Sequence, residues 1–309
     1  MKKKLINATH IEGLLYEHSL EKKVTGSTSK NPGTEYIGGA VKIATDNAIT
    51  NVIEVHFPYV TATTAKGTQN PTYAVFSNII NGIYKTVMGS SAEEATKLRI
   101  DSAISLNEFY IEENGADKLI SAKRNSGGFV HVVNALSDDE STRNTFDVDM
   151  VITNVRTVEG DEERQIPTKA IVKGAIFDFK KSLLPVEFSA IDPRAIDYFE
   201  GLEASAKNPV FTRLKGKQVS EEIVKRIEEE SAFGAPSIKE VKRTYKDYVI
   251  TWAQTNTYEW DSEDGILASE LAEAMNNREI YLATLKQNRE EWKKAKAAPV
   301  APATAGFNF

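Results

Sequence analysis

The sequence predicts a mainly β protein with helices, in which two strand-rich units precede a long C-terminal helix. Short runs rich in β-branched and aromatic residues, separated by turn residues, dominate the chain up to about residue 254. Apolar residues at helical spacing occupy short stretches in that region and one long stretch near the end. The 309 residues with 41% hydrophobic content suffice for two packed domains with cores of their own.

The first 34 residues end in a turn-rich polar stretch and are predicted to form an N-terminal arm. The first strand-rich unit follows at residues 35–160. Its predicted elements are strands at Tyr36–Thr45, Asn51–Ala62, Ile100–Tyr110, Leu119–Lys123, Phe129–Asn134 and Phe146–Thr157 and a helix at Tyr73–Met88. Asn125–Gly128 is predicted to be a hairpin turn between two of these strands.

The second unit spans residues 164–258. Its predicted elements are strands at Lys169–Lys180, Leu184–Ala190, Phe211–Val219 and Val241–Ala253 and helices at Pro193–Ala204 and Ser220–Glu230. Residues 262–296 are predicted to form the long helix, because steps of three and four residues connect a single series of side chains: Leu267, Leu271, Met275, Arg278, Leu282 and Leu285. Residues 297–309, rich in Ala and Pro, are predicted to be a disordered tail with an aromatic tip.

Both units are predicted to contain strands, then a helix, then more strands. Five-stranded barrels of the oligonucleotide-binding (OB) type have this order, with the helix between the third and fourth strands. We therefore predict two tandem OB-like β-barrels. In the second unit the helix follows only two predicted strands, so this topology requires a strand that the pattern does not show.

Composition excludes several classes of protein. The chain has no cysteine, which excludes disulfides, thiolate chemistry and zinc sites built on sulfur. No apolar run approaches the roughly 20 residues of a membrane-spanning helix. The lysine-rich start at Met1–Asn7 lacks the apolar stretch of a signal peptide, so a cytoplasmic location is expected.

The charge is unevenly distributed along the chain. The formal net charge is −6, yet residues 164–258 contain 16 Lys and Arg against 13 Asp and Glu. The other two parts of the chain are net negative. This modest asymmetry favours a polyanionic partner for the second unit.

Three predicted strands of the second unit present aromatic and basic residues on one face, since side chains alternate across a strand. Lys and Arg attract phosphates, and exposed aromatic rings stack on unpaired bases with about 1–3 kcal/mol each. A solvated face beside core phenylalanines would give a similar pattern. The candidate nucleic-acid-binding residues are Lys169, Lys173, Phe177, Phe179, Phe211, Arg213, Lys215, Lys217, Lys242, Lys246, Tyr248 and Trp252.

The sequence contains no strong signal for an enzyme. It lacks a phosphate-binding loop and a dinucleotide fingerprint, and its four histidines lie far apart. Asp147 and Asp149 share a strand face and, with Asp101, form a weak candidate for a Mg²⁺ site, although surface acids are the ordinary explanation. We expect no catalytic residue, resident metal or cofactor.

Several stretches resemble large replication-type proteins encoded by phages of low-GC Gram-positive bacteria. The stretches are Lys173–Phe179, Leu184–Phe188, Asp197–Ser205 and Lys207–Thr212 in the second unit and Gly39–Asp46 and Val55–Thr61 in the first. Proteins of this kind are commonly regarded as single-stranded DNA-binding. The resemblance implies an OB fold and sequence-independent coverage of single-stranded DNA in phage replication or recombination, and it implies no catalytic residue.

Single-stranded DNA-binding proteins often end in an acidic tail whose aromatic tip recruits replication partners. Here Phe307 and Phe309 provide an aromatic tip, but no acidic residue lies between Lys296 and the end. The two phenylalanines are therefore candidates for partner binding, with an inert tail as the alternative. Two other functions stay open for the whole chain: a phage structural or assembly module that uses the long helix, and a Mg²⁺-dependent nuclease.

Overall fold

The computed structural model describes residues 4–27, 29–161, 167–229, 237–262 and 265–297. The mainly β fold and the long C-terminal helix are confirmed. The described strands are β1 (Asn7–His18), β2 (Glu21–Val24), β3 (Glu35–Ala44), β4 (Val52–Thr61), β5 (Lys97–Glu113), β6 (Ala116–Val132), β7 (Asn144–Val158), β8 (Lys169–Phe177), β9 (Leu183–Ala190), β10 (Val210–Glu229) and β11 (Ser237–Ala253). The described α-helices are α1 (Pro71–Ile80), α2 (Pro193–Gly201) and α3 (Ala268–Ala297).

The first barrel consists of β1, β3, β4, β5 and β6. Antiparallel pairs join β3 to both β1 and β4, and join β5 to both β1 and β6. A short parallel contact between β4 and β6, at Val55 and Asn125, closes the barrel. Helix α1 lies between the third and fourth barrel strands, which is the order of an OB fold. Strand β2 pairs with β3 outside this set of five.

The second barrel repeats the same order with β7, β8, β9, β10 and β11. Antiparallel pairs join β8 to β7 and β9, and join β10 to β7 and β11. A parallel contact between β9 and β11, at Ser189 and Val249, closes it. Helix α2 again lies between the third and fourth strands. Two tandem OB-like barrels are therefore present.

Both barrel helices begin with the same local signal. Asn70 and Asp192 are N-cap residues whose side chains accept a hydrogen bond from the backbone N–H two residues ahead. A proline, Pro71 or Pro193, occupies the first helical position, where its missing N–H costs nothing.

Two strands lie where the sequence analysis did not expect them. Asn7–His18, assigned to an N-terminal arm, is strand β1 of the first barrel, and its Ile11 and Leu15 are fully buried. Strand β7 falls within the predicted first unit, yet it pairs with β8 and β10. It supplies the strand that the topology of the second barrel required.

The helix predicted at Ser220–Glu230 is wrong, because β10 continues to Glu229 and pairs with β11 as far as Ser237. The prediction rested on Val219, Ile223 and Ile227. Steps of four residues place side chains on one side of a helix, but four is also an even number and gives one face of a strand. The spacing therefore did not distinguish the two structures.

Each barrel encloses its own apolar core, and a third cluster holds the C-terminal helix. Phe57 and Phe76 pack edge to face in the first core, and Phe146 stacks on Phe188 in the second. The third cluster consists of Val151, Phe177, Phe211, Ile266 and Ala274. It fixes the start of α3 against the second barrel.

The two barrels are joined by backbone pairing and by side chains. Strand β1 pairs with β7 along Asn7–Ile11, and Ile104 of β5 belongs to the core of the second barrel. The side chain of Asn51 donates to the carbonyl of Gln218 at 3.1 Å and accepts from the backbone N–H of Ser220 at 2.8 Å. These contacts fix the orientation of one barrel against the other.

Helix α3 connects the second barrel to the β5–β6 hairpin of the first. Arg278 forms a two-pronged ion pair with Glu108, with both N–O distances at 2.5 Å. Arg289 and Lys293 pair with Asp117 beside the hairpin turn. No helix in the described part of the chain is long and apolar enough to cross a membrane. The predicted disordered tail, apart from Ala297, lies outside the described residues.

Candidate nucleic-acid interface

On the predicted aromatic-basic face of β10, the aromatic ring is buried and two of the three cations are exposed. Phe211 is fully buried against Tyr258 and Trp260, so its assignment as a stacking residue is corrected. Arg213 binds both carboxylate oxygens of Asp147, at 2.7 and 2.5 Å. The remaining two cations, Lys215 and Lys217, are exposed.

Trp252 of β11 is the half-exposed aromatic residue that accompanies these cations. It lies opposite Lys215 in the β10–β11 ladder, with the Lys215 ammonium 5.2 Å from the centre of its ring. Its exposed fraction is 46%. Lys215 and Trp252 therefore keep the combination of cation and accessible ring that the sequence predicted.

The predicted residues of β8 also comprise both buried and exposed side chains. Phe177 is buried in the cluster under α3, and its assignment as a stacking residue is also corrected. Phe179 lies just beyond the strand and is 92% exposed. Lys173 is exposed beside Glu187, at 3.7 Å, whereas Lys169 is partly buried and pairs with Asp247 at 3.2 Å.

The last predicted strand contributes one exposed cation. Lys246 is exposed, while Tyr248 is buried between Phe146 and Phe188, which corrects its assignment. The side chain of Lys242 lies outside the part of the structure that is described, as do the tip residues Phe307 and Phe309. The corrected rings have two causes: Tyr248 lies on the strand face that meets the barrel core, whereas Phe177 and Phe211 lie on the other face and are covered by the region around α3. Alternation gives the faces of a strand, but neither which face meets the core nor what covers the other.

Three adjoining clefts run across both barrels and define the inter-barrel groove. The first, of about 300 Å³, lies on β3 and β4 and is lined by Lys23, Tyr36 and Arg124 among others. The middle cleft, of about 390 Å³, lies between the barrels. The third, of about 200 Å³, lies on β8, β9 and β11 and includes Lys169 and Tyr245. The groove thus covers the second and third strands of each barrel, the face with which OB folds bind oligonucleotides.

Among the described residues, the cations of the groove outnumber its carboxylates. Five basic residues line it, namely Lys23, Lys123, Arg124, Lys169 and Lys246. Three acidic residues line it, namely Glu54, Glu187 and Asp247. Within a chain whose net charge is −6, this surplus is a local feature that favours an anionic ligand.

Lys123 lies where the middle and third clefts meet. Its ammonium is 4.7 Å from the centre of the Tyr248 ring and 5.1 Å from that of Phe188, and it donates to the carbonyl of Glu187. Burial against these rings lowers the pKa of Lys123 to about 8. Lys123 belongs to the β5–β6 hairpin of the first barrel but contacts the second.

The carboxylates of the groove are engaged by neighbouring groups. His56 approaches Glu54 at 2.6 Å, and this hydrogen bond holds the pKa of Glu54 below its usual range. Burial alone would raise the pKa of Asp247, but hydrogen bonds from Tyr245 and Ser189 and the Lys169 ammonium outweigh burial and hold it low. By contrast, Lys246 forms no ion pair among the described residues, and the buried Nε of Arg124 has no hydrogen-bond partner there.

Sequence reasoning missed the groove residues of the first barrel. Lys123 and Arg124 stood at the end of a short predicted strand, directly before a predicted turn. In the structure they lie within the long strand β6. The signal that would have found them is Asn114-Gly115, the real turn, which makes the flanking residues one continuous hairpin.

Each of the three acids considered for a Mg²⁺ site binds a different partner. Asp147 binds Arg213, Asp101 approaches His10 at 2.9 Å, and Asp149 accepts from the backbone N–H of Ile6. Within the described residues, no group of three or more His, Asp or Glu side chains is placed to hold a metal ion.

Comparison with known proteins gave one family and a set of solved structures. The family model described as YorF matches residues 5–288. The crystal structure of the wild-type single-stranded DNA binding protein from Thermus aquaticus aligns with a TM-score of 0.45 and 9% identity, covering 83% of this chain and 96% of that one. A deletion mutant of the same protein aligns with a TM-score of 0.44 and 8% identity, covering 82% and 96%. No curated protein matches the chain.

Proposed function

The chain belongs to the YorF family, and from that premise we propose that it binds single-stranded DNA along the inter-barrel groove, without sequence selection and without catalysis. The observation that supports the proposal most is the placement of five basic residues in clefts that extend over the second and third strands of both barrels. A role in phage replication or recombination, in the host cytoplasm, completes the proposal.

The groove offers contacts for both parts of a single strand. Lys246 and Arg124 are the groove cations best placed for phosphates, because the described residues place no carboxylate within ion-pair distance of either; the Lys246 charge acts on Glu54 only from farther away and lowers its pKa. Tyr36 in the first cleft and the exposed Tyr245 in the third offer surfaces for bases, and the exposed Tyr59 lies beside the groove with its ring centre 4.7 Å from that of Tyr36. Outside the groove, Lys215, Lys217 and Trp252 form an additional candidate contact surface.

Fluorescence anisotropy with labelled single and double strands tests the proposal. We expect single-strand binding that weakens steeply as salt rises, since phosphate contacts release counterions. The double variant Arg124→Ala, Lys246→Ala is expected to weaken binding by roughly tenfold or more and to reduce the salt slope by roughly two.

The matched control removes two exposed lysines outside the groove, Lys66 and Lys85. It changes the net charge by the same amount, so an equal loss of affinity would assign the effect to overall charge. Absence of single-strand binding at low salt, or equal affinity for duplex, would reject the proposal.

A second candidate function is protein assembly through α3. Ile280, Tyr281 and Trp292 of this helix are about half exposed. An assembly protein is expected to form multimers without nucleic acid and to bind no single strand, so sedimentation of the free chain beside the anisotropy measurement separates the two functions.

A further inference from the structure

We infer that the inter-barrel groove is one continuous site, which a single DNA strand occupies across both barrels at once. The inference rests on the proposed function and goes beyond it, because two barrels can equally act as two independent sites. It specifies the ligand as a strand long enough to cross the junction between the barrels.

The clefts are continuous because neighbouring clefts share wall residues. Glu54, His56 and Arg124 line both the first and the middle cleft. Lys123, Lys246 and Asp247 line both the middle and the third. A strand leaving the first barrel therefore enters the middle cleft along the same side chains, and enters the third in the same way.

The junction is held in place before any ligand arrives. Asn125 of the first barrel donates to Gln218 of the second at 2.7 Å, and both side chains are buried on the floor of the middle cleft. Asn51 adds two hydrogen bonds to the same segment of β10. A preformed junction means that a bound strand does not have to order the barrels, which would otherwise reduce its affinity.

Positive charge continues through the junction. Arg124 stands where the first and middle clefts meet, Lys123 and Lys246 where the middle and third meet, and Lys169 lies beyond them. Lys123 reaches from the first barrel onto Phe188 and Tyr248 of the second. The junction therefore presents cations from both barrels to one phosphate backbone.

A continuous site makes affinity depend on strand length in a particular way. Once a strand is held by one barrel, its contact with the other is intramolecular, and linked contacts raise affinity by about 100-fold to 10,000-fold. Independent sites give a longer strand only more starting positions: a site of about 8 nucleotides has about 17 positions on a strand of about 24, so affinity would rise by only about 17-fold.

The test uses the full chain and oligothymidines of about 8, 16, 24 and 32 nucleotides, lengths chosen to bracket one and two OB folds. Affinity is measured by anisotropy, and stoichiometry by analytical ultracentrifugation. The variants Lys23→Ala and Lys169→Gln remove a cation from opposite ends of the groove, and Lys85→Ala is the control outside it.

We expect affinity to rise by more than about 100-fold between the shortest strand and the length that reaches both barrels, and then to level off. One long strand should saturate one chain. Both end variants should weaken the long strand, while the shortest strand is weakened by at most one of them. A smaller rise, or two long strands per chain, would overturn the inference and leave single-strand binding intact. No binding at any length would instead reject the proposed function itself.

Discussion

At the scale of single residues, Lys123 combines a charge with an unusually apolar position. Its ammonium lies over two aromatic rings, and burial there lowers its pKa to about 8. Asp247 and Glu187 raise this pKa and Lys169 lowers it further. The charge of Lys123 therefore changes near pH 8, whereas the pKa of the neighbouring Asp247 is held below its usual range.

We predict that single-strand affinity falls as pH rises from 7 to 9. Lys123 is mostly protonated below its pKa, and a bound phosphate stabilises that form, so binding takes up a proton near pH 8. Above pH 8 the neutral amine must be protonated first, which lowers affinity by up to roughly tenfold at pH 9. Anisotropy at constant ionic strength measures this change.

The variant Lys123→Arg keeps its charge across this range and serves as the control. Its pH profile is expected to be flat between 7 and 9. An equally steep profile in the variant would show that another group is responsible for the pH dependence.

The residues of the site were predictable from sequence only in part. Lys169 and Lys246 were expected and line the groove. Phe177, Phe211 and Tyr248 were expected to be exposed and are buried. A ring on a basic strand face stacks on bases or fills a core depending on which other element covers it. For Phe211 and Phe177 that element is the region around α3, which is far away in sequence.

At the scale of elements, the β5–β6 hairpin depends on two glycine-containing segments with different roles. Asn114 and Gly115 have positive φ values of 53° and 78° and form the two-residue turn. Gly128 has φ of 106°, and an added Cβ would lie 2.1 Å from the carbonyl oxygen of Asp101. The ladder shifts register at this point, between Asp101 and Ala103, so Gly128 belongs to a bulge and not to a turn.

We predict that Gly128→Ala lowers the free energy of unfolding by about 1–3 kcal/mol or more, because it combines a strained φ with a clash against backbone. Urea unfolding followed by circular dichroism measures the loss. Gly26→Ala is the control, since no atom lies within 4 Å of its added Cβ. Its effect is expected to stay within about 0.5 kcal/mol. Similar stability of both variants would contradict the structural role of the bulge.

Elements with clear alternation and flanking turn residues were predictable from sequence, such as β3, β4, β8 and β9. Strand β1 was not, because it is amphipathic only in part: Ile11 and Leu15 are buried, but so are Gly13 and the charged Glu12. Its burial comes from pairing with β3, β5 and β7. Pairing with three strands from other parts of the chain is not visible in the local pattern of apolar residues.

At the scale of the whole molecule, the two barrels share enough structure to behave as one cooperative unit. Strand β1 continues the sheet from one barrel into the other, and Ile104 and Leu106 of the first barrel pack on the core of the second. Unfolding either barrel alone would expose these residues and break the Asn51 hydrogen bonds.

We predict a single thermal transition by calorimetry, with equal calorimetric and van't Hoff enthalpies. Asn51→Ala is expected to lower the midpoint while the transition stays single, because it removes two junction hydrogen bonds worth about 1–3 kcal/mol together. Two separate transitions in the unaltered chain would show that the barrels unfold independently.

The position of β1 also has a consequence for how the chain is made. This strand leaves the ribosome before its partners in β5 and β7, which lie roughly 80–140 residues later in the sequence. At synthesis rates of roughly 5–20 residues per second, Ile11 and Leu15 remain without the neighbours that β5 and β7 provide for several seconds to half a minute. Neither barrel can close during that interval, since the first lacks β5 and the second lacks most of its strands. The short strand β2, which follows β1 in the sequence, is charged and exposed, and charged residues of this kind disfavour pairing between sheet edges.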